Sequence, residues 1–251
     1  MQPASASHGL TAAPEDEAAI PVFSRWFGSW RISLQRREMS ASQLARSYDL
    51  AAPGWARTLD RLGFPDAYEA MLAAVLREDA PDLTRPGLRV LDCGVGTGAL
   101  SCALARVLPA PCRLDAIDIS LRMLDRARDR LGEAGLDASL RHGDVRDLPY
   151  AGGLFDLVMT GHVLEHLADP QAALREMARV LKPGGLLIAC LTRRSPLGAY
   201  VQLKWRTHWV TPDQAESWLR QSGLEDVRCR SLDRRAICRQ LSVACAGKKP
   251  L

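Results

Sequence analysis

VLDCGVGTGAL, running from Val90 to Leu100, reads as the end of a strand, a glycine-rich turn and the start of a helix. Gly94, Gly96 and Gly98 suit a turn that needs positive φ and lets a ligand approach the backbone closely. The helix beyond it offers unpaired N–H groups and a partial positive charge to whatever occupies the turn. Alone, such a turn has low specificity, because GVGTGA also satisfies the dinucleotide pattern G-x-G-x-x-G/A.

Outward from this turn, strand-like and helical runs alternate, which predicts a parallel sheet covered by helices. Strands are expected at Leu88–Cys93, Arg113–Ile119, Ala138–Asp144, Leu154–Thr160 and Gly185–Thr192. Between them, Leu100, Leu104, Val107 and Leu108 give one helical stripe, and Leu124, Ala127 and Leu131 give another, opened by Ser120 as N-cap. Asp169-Pro170 opens a helix that carries Leu174, Met177, Ala178 and Leu181. Thr211-Pro212-Asp213-Gln214 has the spacing of a capping box, and its helix closes at Gly223. DVRCRSL and AICRQLSVACAG then form an expected antiparallel hairpin ending the sheet. The predicted class is α/β: a Rossmann-like, seven-stranded, mostly parallel sheet with an antiparallel last strand, helices on both faces and an N-terminal helical cap.

The organisation expected is a disordered leader at 1–20, a helical cap or lid at 21–85, and a ligand-binding domain at 86–251. In the cap, Phe23, Trp26, Phe27, Trp30 and Leu34 recur at helical spacing in a basic segment, and a second helix spans roughly Pro65 to Arg77. The 251 residues carry 33 Lys and Arg against 29 acids, a net charge of +4, far from the footprint of a nucleic-acid binder. No apolar run approaches a membrane span, and the N-terminus lacks the pattern of a secretory signal. The seven cysteines are odd in number and scattered without a Cys-x-x-Cys pair, which speaks against a disulfide scaffold or zinc site and for a reducing cytoplasm.

Three carboxylates discriminate between ligands of the glycine turn. Asp92, just before the glycines, would repel a pyrophosphate but attract a cation. Asp118, ending the second strand, suits ribose hydroxyls, and Asp144, ending the third, suits an adenine amino group. Together they favour S-adenosylmethionine, which is cationic and phosphate-free, over NAD. The structural alternative for all three is capping of turns and helices.

LDCGVGTG, DAIDIS, HGDVRDLPY, FDLVMTGHVLEHLADP and LKPGGLLI, in that order, resemble the successive motifs of class I S-adenosylmethionine-dependent methyltransferases. The likeness is closer to the small-molecule branch that includes the ubiquinone and menaquinone biosynthesis enzymes, whose domain type is methyltransferase type 11. The resemblance spans Leu88 to Leu191. It implies that Gly94, Gly96 and Asp118 bind the cofactor, with Ile119, Met123, Asp144 and Val145 around the nucleoside. It places Thr160 and His162 beside the methionine portion. Tyr48-Asp49 resembles a Tyr-Asp pair of the family's cap and would close over the cofactor.

Methyl transfer gains much from orientation alone, and a base is needed only where the acceptor must lose a proton. His162, Glu165, His166 and His208 are the candidates; His162 and His208 are the catalytic expectations, against orienting or structural roles. His162 and His166 are four apart, yet no third ligand with recognisable spacing accompanies them, so no metal is expected. Thr160-Gly161-His162-Val163 lacks the Asn/Asp-Pro-Pro-Tyr/Phe of base amino-methylation, no Pro-Cys nucleophile stands where cytosine C5 methylation would require one, and no G-x-S-x-G elbow signals a hydrolase.

Twelve of the fourteen aromatic residues lie outside Arg89–Leu191. In the family such regions roof the methyl group, so Trp26, Trp30, Tyr200 and Trp205 become expected acceptor contacts, against ordinary packing. Trp55, Phe64, Tyr68 and Trp218 are expected to pack. The Trp26/Trp30 segment fits a lid, a dimer contact or a helix on a membrane surface. Arg193, Arg194, Lys204 and Arg206 form a basic stretch that suits either an anionic acceptor or solvent. The functional expectation is a methyltransferase acting on a small, hydrophobic or aromatic metabolite, as monomer or homodimer. The alternatives are a membrane-associated lipid or quinone methyltransferase, and a non-catalytic cofactor-binding module or partner subunit.

Overall fold

A computed structural model describes residues 19–37, 39–80, 83, 85–193, 210–232 and 241–251. The chain divides into two compact units, 1–38 and 39–251.

In the first unit, β1 (Ala19–Phe27) and β2 (Trp30–Arg37) pair as an antiparallel hairpin, with Phe27 opposite Trp30. This corrects the helix expected across Phe23–Leu34. The aromatic spacing mimics a helical stripe, but Gly28-Ser29 between two runs rich in aromatic and β-branched residues is a two-residue hairpin turn, and Gly28 adopts φ +62° there.

The second unit opens with two helices, α1 (Ala41–Arg61) and α2 (Phe64–Asp79). Helices are thus found in the C-terminal part of the expected cap, within the same compact unit as the sheet. Alternating elements follow: β3 (Arg89–Cys93), α3 (Ala99–Val107), β4 (Arg113–Asp118), α4 (Leu121–Glu133), β5 (Ala138–His142), β6 (Phe155–Gly161), α5 (Pro170–Val180), β7 (Leu181–Thr192), α6 (Pro212–Gln221), β8 (Glu225–Ser231) and β9 (Ser242–Lys248). The seven-stranded sheet runs β5-β4-β3-β6-β7-β9-β8. Its strands are parallel except β9, which pairs antiparallel with both β7 and β8.

The caps read from sequence form as expected: Ser120 accepts from Met123 N, Asp169 from Ala172 N, and Thr211 and Gln214 close a capping box. Central strands are buried on both faces, as a parallel sheet under two helical layers requires. On β7, Leu186, Ile188 and Cys190 join the core under α2, α3 and α4, while Leu187, Ala189 and Leu191 join the one under α5 and α6. Each buried leucine or isoleucine among them contributes about 1.5–3 kcal/mol.

One cysteine expectation is corrected. Cys229 and Cys245 face each other across β8 and β9 and form a disulfide, a pairing set by strand register and invisible in spacing. Among the described residues, no helix is long and apolar enough to cross a membrane.

Candidate active site

The carboxyl ends of β5, β4, β3 and β6 open at one edge of the sheet. From β3 the chain builds outward through β4 to β5, then crosses back to β6 on the other side of β3, and α/β sheets hold ligands where the strand order reverses in this way. A cleft of about 1120 Å³, counting the open solvent at its mouth, lies at this edge beneath α1 and α2. Tyr48, Asp92, Gly94, Gly96, Asp118, Ile119, Met123, Asp144, Val145 and His162 all line it.

Asp92 is 1% exposed. Its Oδ2 accepts from Ser101 Oγ at 2.6 Å, while Oδ1 is buried with no hydrogen-bond partner. Burial pushes its carboxyl up to about 7, against the Ser101 hydrogen bond and helped by the charge of Asp118. Asp118 accepts from Gly96 N at 2.8 Å and Ser120 N at 2.9 Å, which ties the glycine turn to the start of α4. Burial raises its carboxyl above the usual value despite these donors. Asp144 is held by Arg146, whose guanidinium approaches to 2.6 Å. Burial alone would raise this carboxyl, but the Arg146 hydrogen bonds and charge hold it below the usual range.

Gly94 and Gly96 have φ of +78° and +53°, values that favour glycine. A Cβ on Gly94 would strike Val163 Cγ2, whereas one on Gly96 would meet nothing within 4 Å. The turn is therefore closed on its β6 side and open at Gly96.

After β6 the chain turns sharply at His162, whose φ of +59° costs about 1–2 kcal/mol in a non-glycine residue. The backbone N–H of His162 donates to Cys190 O at 2.8 Å and holds the bend. Its Nδ1 lies 3.2 Å from Glu165 Oε1 and 3.1 Å from Thr192 Oγ1, and its Nε2 lies 3.4 Å from Ser242 Oγ. Glu165 is fully buried and also accepts from Thr192 N at 2.8 Å and Thr192 Oγ1 at 2.7 Å. Burial would raise its carboxyl, but the His162 and Thr192 hydrogen bonds and the charges of His162 and His166 lower it to about 2. An ionised Glu165 favours a proton on the facing Nδ1 and so sets which ring nitrogen of His162 is held on this side and which, Nε2, points away.

Tyr48, half-buried on α1, stands 2.6 Å from His166 Nε2. Burial, with the nearby charges of Glu165 and Asp118, raises its phenol well above the usual value, so the hydroxyl keeps its proton beside the imidazole. The adjacent Asp49 accepts from Ser120 Oγ at 2.6 Å and latches α1 to the start of α4. Tyr48 meets Trp55 edge-on at 6.1 Å between centroids, and Phe64 meets His162 at 5.5 Å. Trp55, Tyr68, Leu44 and Leu59 also line the cavity and give it an apolar wall. Trp55 and Tyr68 thus both pack and face the cavity, whereas Phe64 and Trp218 pack.

Other expected site residues fall elsewhere. Thr160 is fully buried, does not line the cavity, and donates its hydroxyl to Cys93 O at 2.8 Å, which joins β6 to β3. Trp26 and Trp30 lie on the hairpin of the other unit, exposed. His208, Tyr200 and Trp205 lie outside the described residues. Sequence reasoning did not find Ser101, Thr192, Ser242 or Arg146; the first three are common polar residues that acquire meaning only through distant partners. Among the described residues, no three His, Cys, Asp or Glu side chains converge as metal ligands.

The methyltransferase-domain family matches residues 91–189. A ubiquinone biosynthesis O-methyltransferase of Ruegeria pomeroyi is 39% identical over 155 residues, which cover 56% of this chain and 61% of the relative, less than two thirds of its length. Another, from Dinoroseobacter shibae, is 33% identical over 212 residues, or 75% of this chain and 84% of the relative. Among solved structures, the [4+2]-cyclase SpnF superposes with a TM-score of 0.64 at 21% identity, covering 85% of this chain and 98% of its own. An S-adenosylmethionine-dependent methyltransferase from Thermotoga maritima gives 0.61 at 20% identity, covering 82% and 99%. These two likenesses are of fold.

Proposed function

The chain belongs to the class I S-adenosylmethionine-dependent methyltransferases, and from that membership we propose that its cavity holds S-adenosylmethionine over Asp92 and Asp118 to methylate a hydroxyl of a small aromatic acceptor. The residues present fit that cofactor. Asp92 Oδ1, buried without a partner, suits an ammonium group. Asp118 retains acceptor capacity for ribose hydroxyls beside its two backbone donors. The open approach at Gly96 admits a nucleoside close to the backbone. When bound, the cofactor supplies a methyl group already activated on a sulfonium.

The chain's own residues then orient and deprotonate. Glu165 fixes the tautomer and plane of His162, and Nε2 takes the proton that the acceptor hydroxyl loses. At 3.4 Å, the Ser242 contact is at the outer limit of a hydrogen bond, so Nε2 exchanges it readily for an acceptor hydroxyl. Trp55 and Tyr68 supply apolar area for a ring. An oxygen acceptor also accords with the two relatives named O-methyltransferases.

The observation that carries this reading is the presence, in the lining of one cavity, of a partnerless buried carboxylate oxygen, an aromatic wall and a carboxylate-anchored histidine. Calorimetry with S-adenosylmethionine on the wild type and on Asp118→Ala, with mass detection of methylated products from phenols, catechols and amines, tests it. The expected result is roughly tenfold to hundredfold weaker binding by the variant and a methyl added to hydroxyl acceptors. Unchanged affinity, or methylation of amines alone, would overturn it.

A further inference from the structure

Four of the seven large apolar side chains exposed among the described residues fall within one turn of hairpin: Trp26 at 64%, Phe27 at 54%, Trp30 at 77% and Ile32 at 57%. Leu50, Leu121 and Leu251 are the scattered remainder. A two-stranded hairpin buries too little of itself to be stable alone in water, so such a surface calls for something to cover it.

The register shows how it is built. Phe27 pairs with Trp30 and Arg25 with Ile32, so these four share one face; Trp26 pairs with Arg31 on the other, beside Ser24 and Ser33. The apolar bulk thus flanks the Gly28-Ser29 turn. Arg31 Cζ stands 5.9 Å from the Trp26 ring, and Arg25 Cζ stands 6.0 Å from that of Phe27. The sequence from Ala19 to Arg37 carries Arg25, Arg31, Arg36 and Arg37 and no acid.

We propose that the tip of this hairpin docks the protein on an anionic lipid bilayer, with Trp26, Phe27 and Trp30 at the headgroup level and the arginines on lipid phosphates. Amphipathic indoles favour that depth, and cationic charge complements an anionic surface. An absence of acids over the whole hairpin is what that surface demands, whereas a self-association face would juxtapose like charges.

The test is co-flotation of the full chain with vesicles of phosphatidylglycerol and phosphatidylcholine in equal parts, and with pure phosphatidylcholine. The expected result is recovery with the anionic vesicles, weakening with salt, and little recovery with the neutral ones. Trp26→Ser with Trp30→Ser abolishes the recovery, and Arg25→Ser with Arg31→Ser lowers the partition roughly thirtyfold. Unchanged thermal unfolding of both variants excludes misfolding as the cause. No flotation, or flotation indifferent to both pairs of substitutions, overturns the proposal. A dimer in solution that the tryptophan pair dissolves, without lipid binding, assigns the tip to a second copy and overturns it as well. Neither result bears on the cavity reading, which calorimetry tests separately.

Discussion

Glu165 receives His162 Nδ1 at 3.2 Å from a fully buried position, on a loop where His162 itself stands at positive φ. The imidazole is therefore aimed from two sides, by backbone strain and by a buried anion. Replacing Glu165 with Gln keeps the shape but removes the charge that selects the tautomer. The expected outcome is a fall in kcat of about a hundredfold, with S-adenosylmethionine affinity nearly unchanged and the pH–rate profile displaced. Ser242→Ala is expected to stay within about twofold, since Nε2 serves the acceptor rather than that hydroxyl. Steady-state kinetics across pH check both; a Ser242 effect as large as that of Glu165 would mean that Nε2 has a structural role only.

Asp92 and Glu165 are both buried carboxylates, yet their linkage to folding has opposite sign. Glu165 is held down at about 2, so its stabilisation is complete above the unfolded value near 4.5 and is lost as pH falls through the folded one. The amount is on the order of 3 kcal/mol. Asp92 is raised from 3.8 to about 7, so the native state holds an extra proton in that window and stability falls as pH rises through it. Thermal unfolding of the ligand-free protein should therefore lose stability from pH 4 toward 7, and Asp92→Asn should flatten that limb while leaving the acid limb intact.

The same carboxyl makes cofactor binding pH-dependent. A cation beside Asp92 favours its ionised form, so below about pH 7 binding must expel a proton. Affinity for S-adenosylmethionine is expected to climb as pH rises to about 7 and then level off, with proton release measurable by calorimetry in buffers of different ionisation enthalpy. Asp92→Asn should remove the dependence and weaken binding roughly tenfold at pH 8.

These sites differ in how plainly the sequence announces them. The glycine turn, the carboxylates at strand ends and the caps at Ser120, Asp169 and Thr211 are local patterns, and local patterns survive folding. The hairpin does not announce itself, because Phe23, Trp26, Phe27, Trp30 and Leu34 satisfy a helical period as well as they flank a turn. Gly28-Ser29 held the deciding signal. Thr160 shows a different limit: its place in the motif is right for the cavity, but strand alternation turns its hydroxyl to Cys93. The surroundings of His162 come from β7 and β9, whose residues Thr192 and Ser242 are remote in sequence and joined only by register. No spacing rule reaches across such distances.

Gly94 and Gly96 occupy the same turn with positive φ, yet substitution should separate fold from function. At Gly96, φ of +53° costs an alanine about 1–2 kcal/mol, and its Cβ would enter open cavity space. Gly96→Ala is therefore expected to fold, melt slightly lower and bind S-adenosylmethionine at least about tenfold less tightly, because the methyl fills the approach to the backbone. At Gly94 the same strain is joined by a collision with Val163 Cγ2, next to His162. Relief requires the loop after β6 to move, so Gly94→Ala is expected to cost about 3 kcal/mol or more in stability. Urea unfolding of the two variants, with and without cofactor, reads both effects. If Gly96→Ala binds as tightly as the wild type, the nucleoside does not pass over this turn.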